Sequence, residues 1–302
     1  MRHFSVLERP PGHRPLRSSA LPDGSPIRGR ITTLDEVEFY RNEGYVAVER
    51  PVVGPHAIAE VRQMLDDLFA NFASWSEQAA RDLGNGTPDA TSIPEILRPS
   101  ALQPALKNTL VYRTLTQCAQ EMLGTKHVVH HFDHAIFKPP FGDAKTAWHQ
   151  DVAFDPTHDS PVVTFWFALV DATEQNGCMS FVPRSHRFDV LEHRQFGRGG
   201  KEAIGIDGMP LVSCPVPAGG FTAHMQRTLH GTGPNTSSET RAAWIVKMIP
   251  DLRPAPRRAF TRFRRWQADT KFRTVELQGN HRTHESTTGA GLLETRPSTG
   301  TP

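Results

Sequence analysis

An imidazole and a carboxylate separated by one residue form the first chemically informative motif of this 302-residue chain, His149-Gln150-Asp151. On a β-strand, side chains at positions i and i+2 point to the same face of the sheet. We predict that a strand begins at this motif and directs the side chains of His149 and Asp151 toward a common point. A second imidazole, that of His230, follows far along the chain.

Two imidazoles and one carboxylate form the facial triad of non-haem Fe(II) oxygenases, which leaves coordination positions open for a chelating cosubstrate and O₂. His230 is the candidate third ligand beside His149 and Asp151. Arg241 follows His230 at the head of the apolar run 242–249. A guanidinium buried in a β-structure needs an anion, and its planar fork pairs with a carboxylate. Arg241 therefore suits the far carboxylate of a dicarboxylic cosubstrate.

Helices are expected in the first part of the chain. Thr33-Leu34-Asp35-Glu36 is a capping box, which predicts a helix start, and Gly44 is the expected end of that helix. Apolar residues at helical spacing predict two further helices, over residues 56–72 and 104–123. Residues 84–94, which contain Gly, Pro, Asn and Ser, are predicted to form a loop.

Short apolar runs separated by turn residues predict strands through the rest of the chain. The predicted strands are residues 45–48, 127–138, 162–171, 179–182, 210–216, 221–225 and 242–249. Helices followed by strands indicate an α+β chain with a mainly β core, built on a barrel or a sandwich. We expect an N-terminal tail over residues 1–30, a single domain over 31–282 and a C-terminal tail over 283–302.

Composition excludes several classes of protein. The net charge is +2, from 34 basic and 32 acidic residues, so no nucleic-acid partner is expected. The 3 cysteines lie far apart, which excludes a disulfide framework and a cysteine zinc finger. No apolar run approaches the roughly 18 residues of a membrane span, and the N-terminus lacks the apolar core of a signal peptide. The cytoplasm is therefore the expected location, without a membrane partner.

Several further motifs occur in a fixed order along residues 32–250. They are the segment 33–48, Lys138-Pro139-Pro140 ahead of Trp148-His149-Gln150-Asp151, the segments 165–173, 176–179, 182–187 and 230–235, and finally Arg241. As an ordered set, these motifs resemble the phytanoyl-CoA dioxygenase family of Fe(II)/2-oxoglutarate-dependent oxygenases. Two local departures are Pro183-Arg184-Ser185-His186 in place of the family's frequent Pro-Gly-Ser-His, and Gly219-Gly220 in place of a Gly-Asp turn.

The resemblance implies a double-stranded β-helix, a jelly-roll or cupin-like barrel with flanking helices. It implies Fe(II) held by His149, Asp151 and His230, and 2-oxoglutarate bound through Arg241. The candidate residues around the cosubstrate are Lys138, Thr146, Gln150, Trp166 and Thr232. The implied enzyme is a dioxygenase that uses 2-oxoglutarate and O₂ to hydroxylate an unactivated C–H of a small organic substrate, with release of succinate and CO₂.

The substrate class stays open between a specialised metabolite, an amino-acid derivative and an acyl compound. Halogenating relatives carry Gly or Ala at the carboxylate position, so Asp151 favours oxidation without halide. Desaturation or ring formation by the same oxidising chemistry is an alternative, as is a non-redox metal enzyme using Zn²⁺. A binding protein that uses the basic segment 252–282 as its partner surface is a further one. The oligomeric state is not predicted.

Seven other histidines and one glycine-rich segment receive ordinary interpretations. Strand alternation predicts that His130 and His134 share a face opposite His131, as polar residues rather than a zinc site. An ordinary role is also expected for His158, His186, His193 and His224. Residues 197–200 are predicted to form a flexible loop, and a lid is one use for it.

Overall fold

The computed structural model describes residues 29–83, 93–154, 161–197 and 200–251. The helices are α1 (Leu34–Glu43), α2 (Pro55–Ala70), α3 (Pro99–Leu102) and α4 (Leu110–Leu123), with 3-10 turns at Phe72–Ser74, Pro104–Asn108, Asp151–Ala153 and Ser185–Arg187. The strands are β1 (Tyr45–Val48), β2 (Ala80–Asp82), β3 (Pro94–Leu97), β4 (Val128–Lys138), β5 (Thr146–His149), β6 (Val163–Ala168), β7 (Met179–Phe181), β8 (His193–Phe196), β9 (Gly200–Ala203), β10 (Val212–Cys214), β11 (Phe221–Met225), β12 (His230–Thr232) and β13 (Arg241–Pro250).

Helix α1 begins and ends where its sequence signals predict. The Thr33 hydroxyl accepts a hydrogen bond from the Glu36 amide, and the Glu36 carboxylate accepts one from the Thr33 amide, which completes the capping box. Gly44 ends the helix at a φ of 85°, in the left-handed region that favours glycine. The chain then turns directly into β1, whose residues are all buried.

Two antiparallel sheets carry the fold. The large sheet has seven strands in the order β1-β11-β6-β13-β4-β3-β2, and the small sheet has four in the order β10-β7-β12-β5. Their inner faces meet, because Tyr45 of β1 stacks on Phe181 of β7 and Lys138 of β4 donates a hydrogen bond to Thr232 of β12. This confirms the α+β class with a mainly β core and the jelly-roll architecture, although the described strands form separate sheets rather than one closed barrel.

The two faces of the large sheet have different partners because side chains alternate along each strand. Outward residues such as Phe165 and Trp244 join the apolar cluster that includes Leu115 of α4 and Leu65 of α2. Inward residues such as Trp166 belong to a second cluster with residues of the small sheet. The helices therefore cover the outer face of the large sheet. The space between the two sheets is the interior, and it is where a functional site can form.

Several element boundaries differ from the sequence predictions for local reasons. The predicted helix over 104–123 is wrong in its first turns, because the Thr109 hydroxyl caps a new helix at the Tyr112 amide. Strands β2, β3, β8, β9 and β12 are not predicted, since each has at most four residues and little periodicity. Pro94 begins β3 and Gly200 begins β9, so both belong to strands rather than to the predicted loops.

Other predictions concern residues that the structure does not describe. These are the N-terminal tail up to residue 28, the rest of the loops at 84–92 and 198–199, His158, the basic segment 252–282 and the C-terminal tail. No helix within the four described ranges combines the length and apolarity that crossing a membrane requires. The cytoplasmic location stays a prediction.

Candidate metal centre

Two neighbouring strands of the small sheet bring the two distant histidines together. His149 ends β5 and His230 begins β12, and the two residues are direct cross-strand partners. Their ring centroids lie 4.2 Å apart. The predicted strand start at His149 is wrong: β5 ends there, and Asp151 lies in the 3-10 turn that follows. This turn, rather than strand alternation, directs the Asp151 carboxylate back toward the imidazoles.

Both imidazoles are fixed in the same tautomer by the main chain. The Nδ1 atom of His149 is 2.7 Å from the carbonyl oxygen of Ala147, and that of His230 is 2.8 Å from the carbonyl oxygen of Thr228. A carbonyl oxygen only accepts, so each Nδ1 carries the proton and donates it. Each Nε2 is left with its lone pair, which is the form that binds a metal ion.

The Asp151 carboxylate completes the group. Its Oδ1 atom lies 3.9 Å from Nε2 of His149 and 3.8 Å from Nε2 of His230. One ligand atom from each of the three residues falls within 4.8 Å of the others, and all three residues are buried. These spacings suit three ligands on one face of a shared metal ion. Within the described ranges, no other group of three His, Cys, Asp or Glu side chains converges in this way.

Three side chains of the large sheet surround the other carboxylate oxygen, Asp151 Oδ2. Thr164 Oγ1 of β6 donates to it at 2.9 Å, and Lys247 Nζ of β13 lies 2.8 Å away. His224 Nε2 of β11 lies 3.4 Å away, and the His224 ring is 4.1 Å from that of His230. Oδ1 thus faces the imidazoles while Oδ2 is held by the sheet, an arrangement suited to binding a metal through one oxygen.

Sequence reasoning missed all three of these neighbours of Asp151. It predicts an ordinary role for His224, whereas the structure places this ring beside two members of the triad. Lys247 had a usable signal, because it lies six residues after Arg241 on one strand and so shares its face. Thr164 had the same signal relative to Trp166 on β6. What the sequence lacks is the register that aligns the three strands.

The electrostatics of the cluster favour the protonation states that metal binding needs. Burial lowers the pKa of His149 to about 4, against partial opposition from Asp151. Burial, with the neighbouring His224 and His149, also lowers the pKa of His230 well below its usual value. Burial raises the pKa of Asp151, but Lys247 and the nearby imidazoles outweigh this and hold it well below its usual range. Two neutral imidazoles and one carboxylate anion result at neutral pH.

Two buried cations lie at the other end of the interior. Arg241 of β13 and Lys138 of β4 are direct cross-strand partners, and each is 1% exposed. The Nε and Nη1 atoms of Arg241 are buried without a hydrogen-bond partner among the described residues. The guanidinium carbon lies 4.9 Å from the centre of the Trp166 ring. Burying a cation with unpaired donors is costly, so this end fits an incoming carboxylate.

Lys138 connects this end to the small sheet. Its ammonium donates to Thr232 Oγ1 at 2.7 Å and to the carbonyl oxygen of Gly233. Burial, followed by the charge of Arg241, lowers the pKa of Lys138 well below its usual value. Because Thr232 Oγ1 accepts from Lys138, its own hydrogen is free to be donated to a cosubstrate. Thr146 is the cross-strand partner of Thr232 and is half-buried.

Gln150 occupies a different place from the other candidates. Its amide nitrogen donates to the carbonyl oxygens of Arg227 and Asp189, and its amide oxygen accepts from the Leu191 amide. All three contacts are with the main chain. Gln150 therefore ties the segment between the two ligands His149 and Asp151 to the neighbouring loops, rather than presenting its amide to a cosubstrate.

The second histidine cluster does not form a metal site. The predicted shared face of His130 and His134 is wrong, because a bulge in the β4–β13 pairing changes the alternation between them. His130 contacts Asp133 at 3.3 Å, and His134 contacts Glu95. Each imidazole thus has its own carboxylate partner. The prediction that they are ordinary polar residues agrees with these contacts.

The fold and this donor set define the class of Fe(II)/2-oxoglutarate-dependent dioxygenases. A family model described as phytanoyl-CoA dioxygenase (PhyH) matches residues 40–243, and the chain belongs to that family. The class requires Fe(II), 2-oxoglutarate and O₂, and both ends of the interior suit it: three ligands for the iron and unpaired cationic donors for a dicarboxylate.

Known relatives agree with this assignment. A probable alpha-ketoglutarate-dependent hypophosphite dioxygenase from Stutzerimonas stutzeri is 37% identical over 120 residues, which are 36% of this chain and 41% of that protein. A phytanoyl-CoA dioxygenase from Arabidopsis thaliana is 23% identical over 259 residues, 74% of this chain and 90% of that protein.

Among solved structures, EvdO2 from Micromonospora carbonacea var. aurantiaca complexed with 2-oxoglutarate is similar, with a TM-score of 0.61 and 26% identity over 75% of this chain and 96% of that one. The carbocyclase SnoK from nogalamycin biosynthesis, at 24% identity and a TM-score of 0.59 over 72% of this chain and 84% of that one, shares the fold.

Proposed function

We propose that this protein hydroxylates an unactivated C–H bond of a small organic substrate, consuming 2-oxoglutarate and O₂ and releasing succinate and CO₂. One observation carries the proposal. A buried His-Asp-His group lies in the same interior as a buried guanidinium, two of whose donors have no partner among the residues that the structure describes. The former suits a ferrous ion and the latter a dicarboxylate, and the two together are what this chemistry requires.

The side chains of the triad have separate proposed roles from those at the cosubstrate end. His149, Asp151 and His230 would hold the iron, and the hydrogen bonds from the two Nδ1 atoms to the main chain leave each Nε2 lone pair available as a ligand. When bound, iron and 2-oxoglutarate supply the oxidising power that cleaves the C–H bond. Asp151 and His230 are buried and the His149 side chain is 12% exposed, so the access of water to the triad is limited, which protects the reaction from unproductive turnover.

The cosubstrate end of the interior would recognise 2-oxoglutarate through its positive charge and through the shape of its walls. Arg241 would pair with the far carboxylate of 2-oxoglutarate, because its planar fork of N–H donors matches a carboxylate. Lys138 adds positive charge and directs the Thr232 hydroxyl, and Trp166 forms the wall beneath the guanidinium. Thr146 lies beside Thr232 and is assigned to the same end. The contacts of Gln150 support a positioning role, in place of the cosubstrate contact that the sequence suggests.

The alternatives differ in how much they explain. Desaturation or ring formation would use the same residues and differ from hydroxylation only in the product. A zinc hydrolase would use the triad but would leave the unpaired donors of Arg241 without a purpose. The Stutzerimonas relative is described as acting on hypophosphite, an inorganic oxyanion without a C–H bond, so oxidation of a small phosphorus oxyanion is a further alternative to C–H hydroxylation. We also propose residues 31–282 as one oxygenase domain, with tails at 1–30 and 283–302.

An anaerobic titration tests the proposed function directly. Fe(II) and 2-oxoglutarate added to the full-length protein should produce the weak visible metal-to-ligand band of a chelated cosubstrate. A panel of candidate substrates is then scored by O₂-dependent succinate release, with mass detection of the product. Asp151→Ala is the matched inactive control and should give no band. A folded wild-type protein without the band would refute the proposal.

A further inference from the structure

Among the described residues, Lys247 is a further cation that faces the interior, and its single contact with Asp151 Oδ2 accounts for only part of its capacity to donate. We propose that the substrate carries a compact anionic group, a carboxylate or a phosphorus oxyanion, and that Lys247 binds it. This inference rests on the proposed function, because it takes the space beside Asp151 as the place where the substrate reacts.

Lys247 and Arg241 share the inward face of β13 but serve opposite ends. Register aligns Arg241 with Lys138 at the cosubstrate end. It aligns Lys247 with Phe132 of β4 and with Thr164 of β6 at the metal end. Arg241 and Lys247 are therefore six residues apart on one face of the strand. An anion bound at Lys247 is for that reason a different group from the far carboxylate of 2-oxoglutarate, which is assigned to Arg241.

The ammonium of Lys247 has N–H donors that its contact with Asp151 does not use. It lies 2.8 Å from Asp151 Oδ2, a contact that uses one of its three N–H bonds. The Lys247 side chain is 17% exposed, whereas Arg241 and Lys138 are each 1% exposed as residues. Part of the Lys247 side chain is therefore in contact with solvent, which is what binding of an incoming anion requires. An anion seated there lies next to a metal ligand, within a few bonds of the reacting atom.

The charges of the interior also favour an anion. Asp151 and a dianionic 2-oxoglutarate carry less negative charge than the positive charge on a divalent iron, Arg241 and Lys247 together. That imbalance persists even with Lys138 uncharged. Excess positive charge in a partly buried space is costly unless an anion neutralises it.

A second interior carboxylate does not supply the missing negative charge. Glu95 of β3 is already paired with Arg81 of β2 and with His134 of β4. On the rim, the Arg98 guanidinium carbon lies 5.3 Å from the centre of the Phe132 ring, and Phe132 is the cross-strand partner of Lys247. The surroundings of Lys247 therefore combine positive charge with an aromatic surface, which suits an organic acid better than a neutral molecule.

The first experiment compares a charged probe with a neutral one of similar shape. The full-length protein, held anaerobically with saturating Fe(II) and 2-oxoglutarate, is titrated with methylphosphonate, acetate or dimethyl sulfone while the visible band is recorded. We expect either anion to shift the band saturably, including at tenfold higher 2-oxoglutarate, and the sulfone to leave it unchanged. Equal responses to charged and neutral probes, no response, or an anion effect that disappears as 2-oxoglutarate rises would each overturn the proposal.

The second experiment assigns the effect to Lys247. Lys247→Met should weaken binding of the responding anion by about tenfold or more, and Lys247→Arg should recover part of it. Lys145→Met is the control lysine, since its side chain is 52% exposed and 3.9 Å from Glu202. Thr164→Val removes another donor to Asp151 Oδ2 without changing the charge, and should leave anion affinity within about twofold.

These variants separate substrate binding from support of the metal. Loss of the band in Lys247→Met, or an equal loss of anion affinity in Thr164→Val, would assign Lys247 to holding Asp151 and overturn the proposal. Unchanged anion affinity in Lys247→Met would overturn it as well. A wild-type protein that never develops the band contradicts the proposed function instead, so the two failures are distinguishable.

Discussion

His149 and His230 are direct cross-strand partners, so the two imidazoles of the site are held by one pair of antiparallel strands. Each Nδ1 donates to the carbonyl oxygen two residues earlier in its own chain segment. Because both rings are oriented by the main chain, the site is organised before any metal binds. Pre-organisation of this kind reduces the entropy lost when the ligands close around an ion.

Metal binding is expected to raise the thermal stability of the protein. An ion that binds only the folded state stabilises it by mass action, about 2.7 kcal/mol at a hundred times its dissociation constant. Mn(II) serves as an air-stable probe in differential scanning fluorimetry. The wild type should show a rise in Tm that depends on Mn(II) concentration, and Asp151→Ala should show none. A matching rise in the variant would place the ion elsewhere.

Replacing Arg241 with methionine should separate folding from cosubstrate binding. The variant removes a buried cation whose Nε and Nη1 atoms have no hydrogen-bond partner in the described part of the chain, so the cosubstrate-free protein should keep or increase its Tm. The affinity for 2-oxoglutarate should fall by about a hundredfold or more, because a buried charge pair is lost. Titration of the visible band measures the affinity. Arg184→Met, at an exposed pair with Glu43, is the control that should bind normally.

Gly44 is predicted to be intolerant of any side chain. Its φ is 85°, and a Cβ atom there would lie 2.2 Å from His186 Nδ1 and 2.8 Å from Thr228 Oγ1. Gly44→Ala should therefore cost about 2 kcal/mol or more in the free energy of unfolding. Chemical denaturation measures it. Gly54→Ala is the matched control, because a Cβ there meets nothing within 4 Å, and a similar loss in both variants would contradict the steric explanation.

Asp133 should make stability depend on acid pH. Burial raises its pKa, but hydrogen bonds from His130, Ser100 and Trp244 outweigh this and hold the pKa below its usual value. A carboxyl whose folded-state pKa is depressed stabilises the fold above its unfolded pKa, and that contribution is lost as pH falls through the folded pKa. Stability conferred by Asp133 is thus complete at neutral pH and declines below about pH 4.

The variant Asp133→Asn tests this contribution. It should cost about 2–4 kcal/mol at pH 7, because the buried donors lose their charged acceptor, and the difference from wild type should shrink in acid. Urea denaturation at several pH values measures both effects. Asp66→Asn changes only a surface pair with Arg62 and should cost under about 1 kcal/mol. A constant Asp133→Asn deficit across the pH range would rule out the ionic explanation.

Local signals in the sequence were sufficient for helix α1, whose capping box at Thr33 and terminal glycine at position 44 are as predicted. The structure also brings the side chains of His149, Asp151 and His230 together, and their role as iron ligands stays a proposal. The position of Asp151 in a turn was not predictable from alternation, which assumes that the strand continues.

Contacts that depend on the register between strands could not be predicted from local sequence signals. Three strands supply Thr164, His224 and Lys247 to one oxygen of Asp151, and their alignment is set by pairings across the whole large sheet. The bulge in the β4–β13 pairing likewise changes which face His130 occupies, and nothing near that residue in the sequence marks it. Long-range pairing, not local propensity, decides these contacts.

Strand β13 fixes the distance between two cations of the interior. Arg241 and Lys247 lie about 20 Å apart along its backbone at the usual rise per residue. The strand is bonded to β4 on one side and β6 on the other, so this interval cannot stretch or slip. Deletion of a single residue between Arg241 and Lys247 would turn one of the two side chains away from the interior. A substrate of a different size would therefore have to be accommodated by changes in the loops around the opening, while the spacing along β13 stays the same.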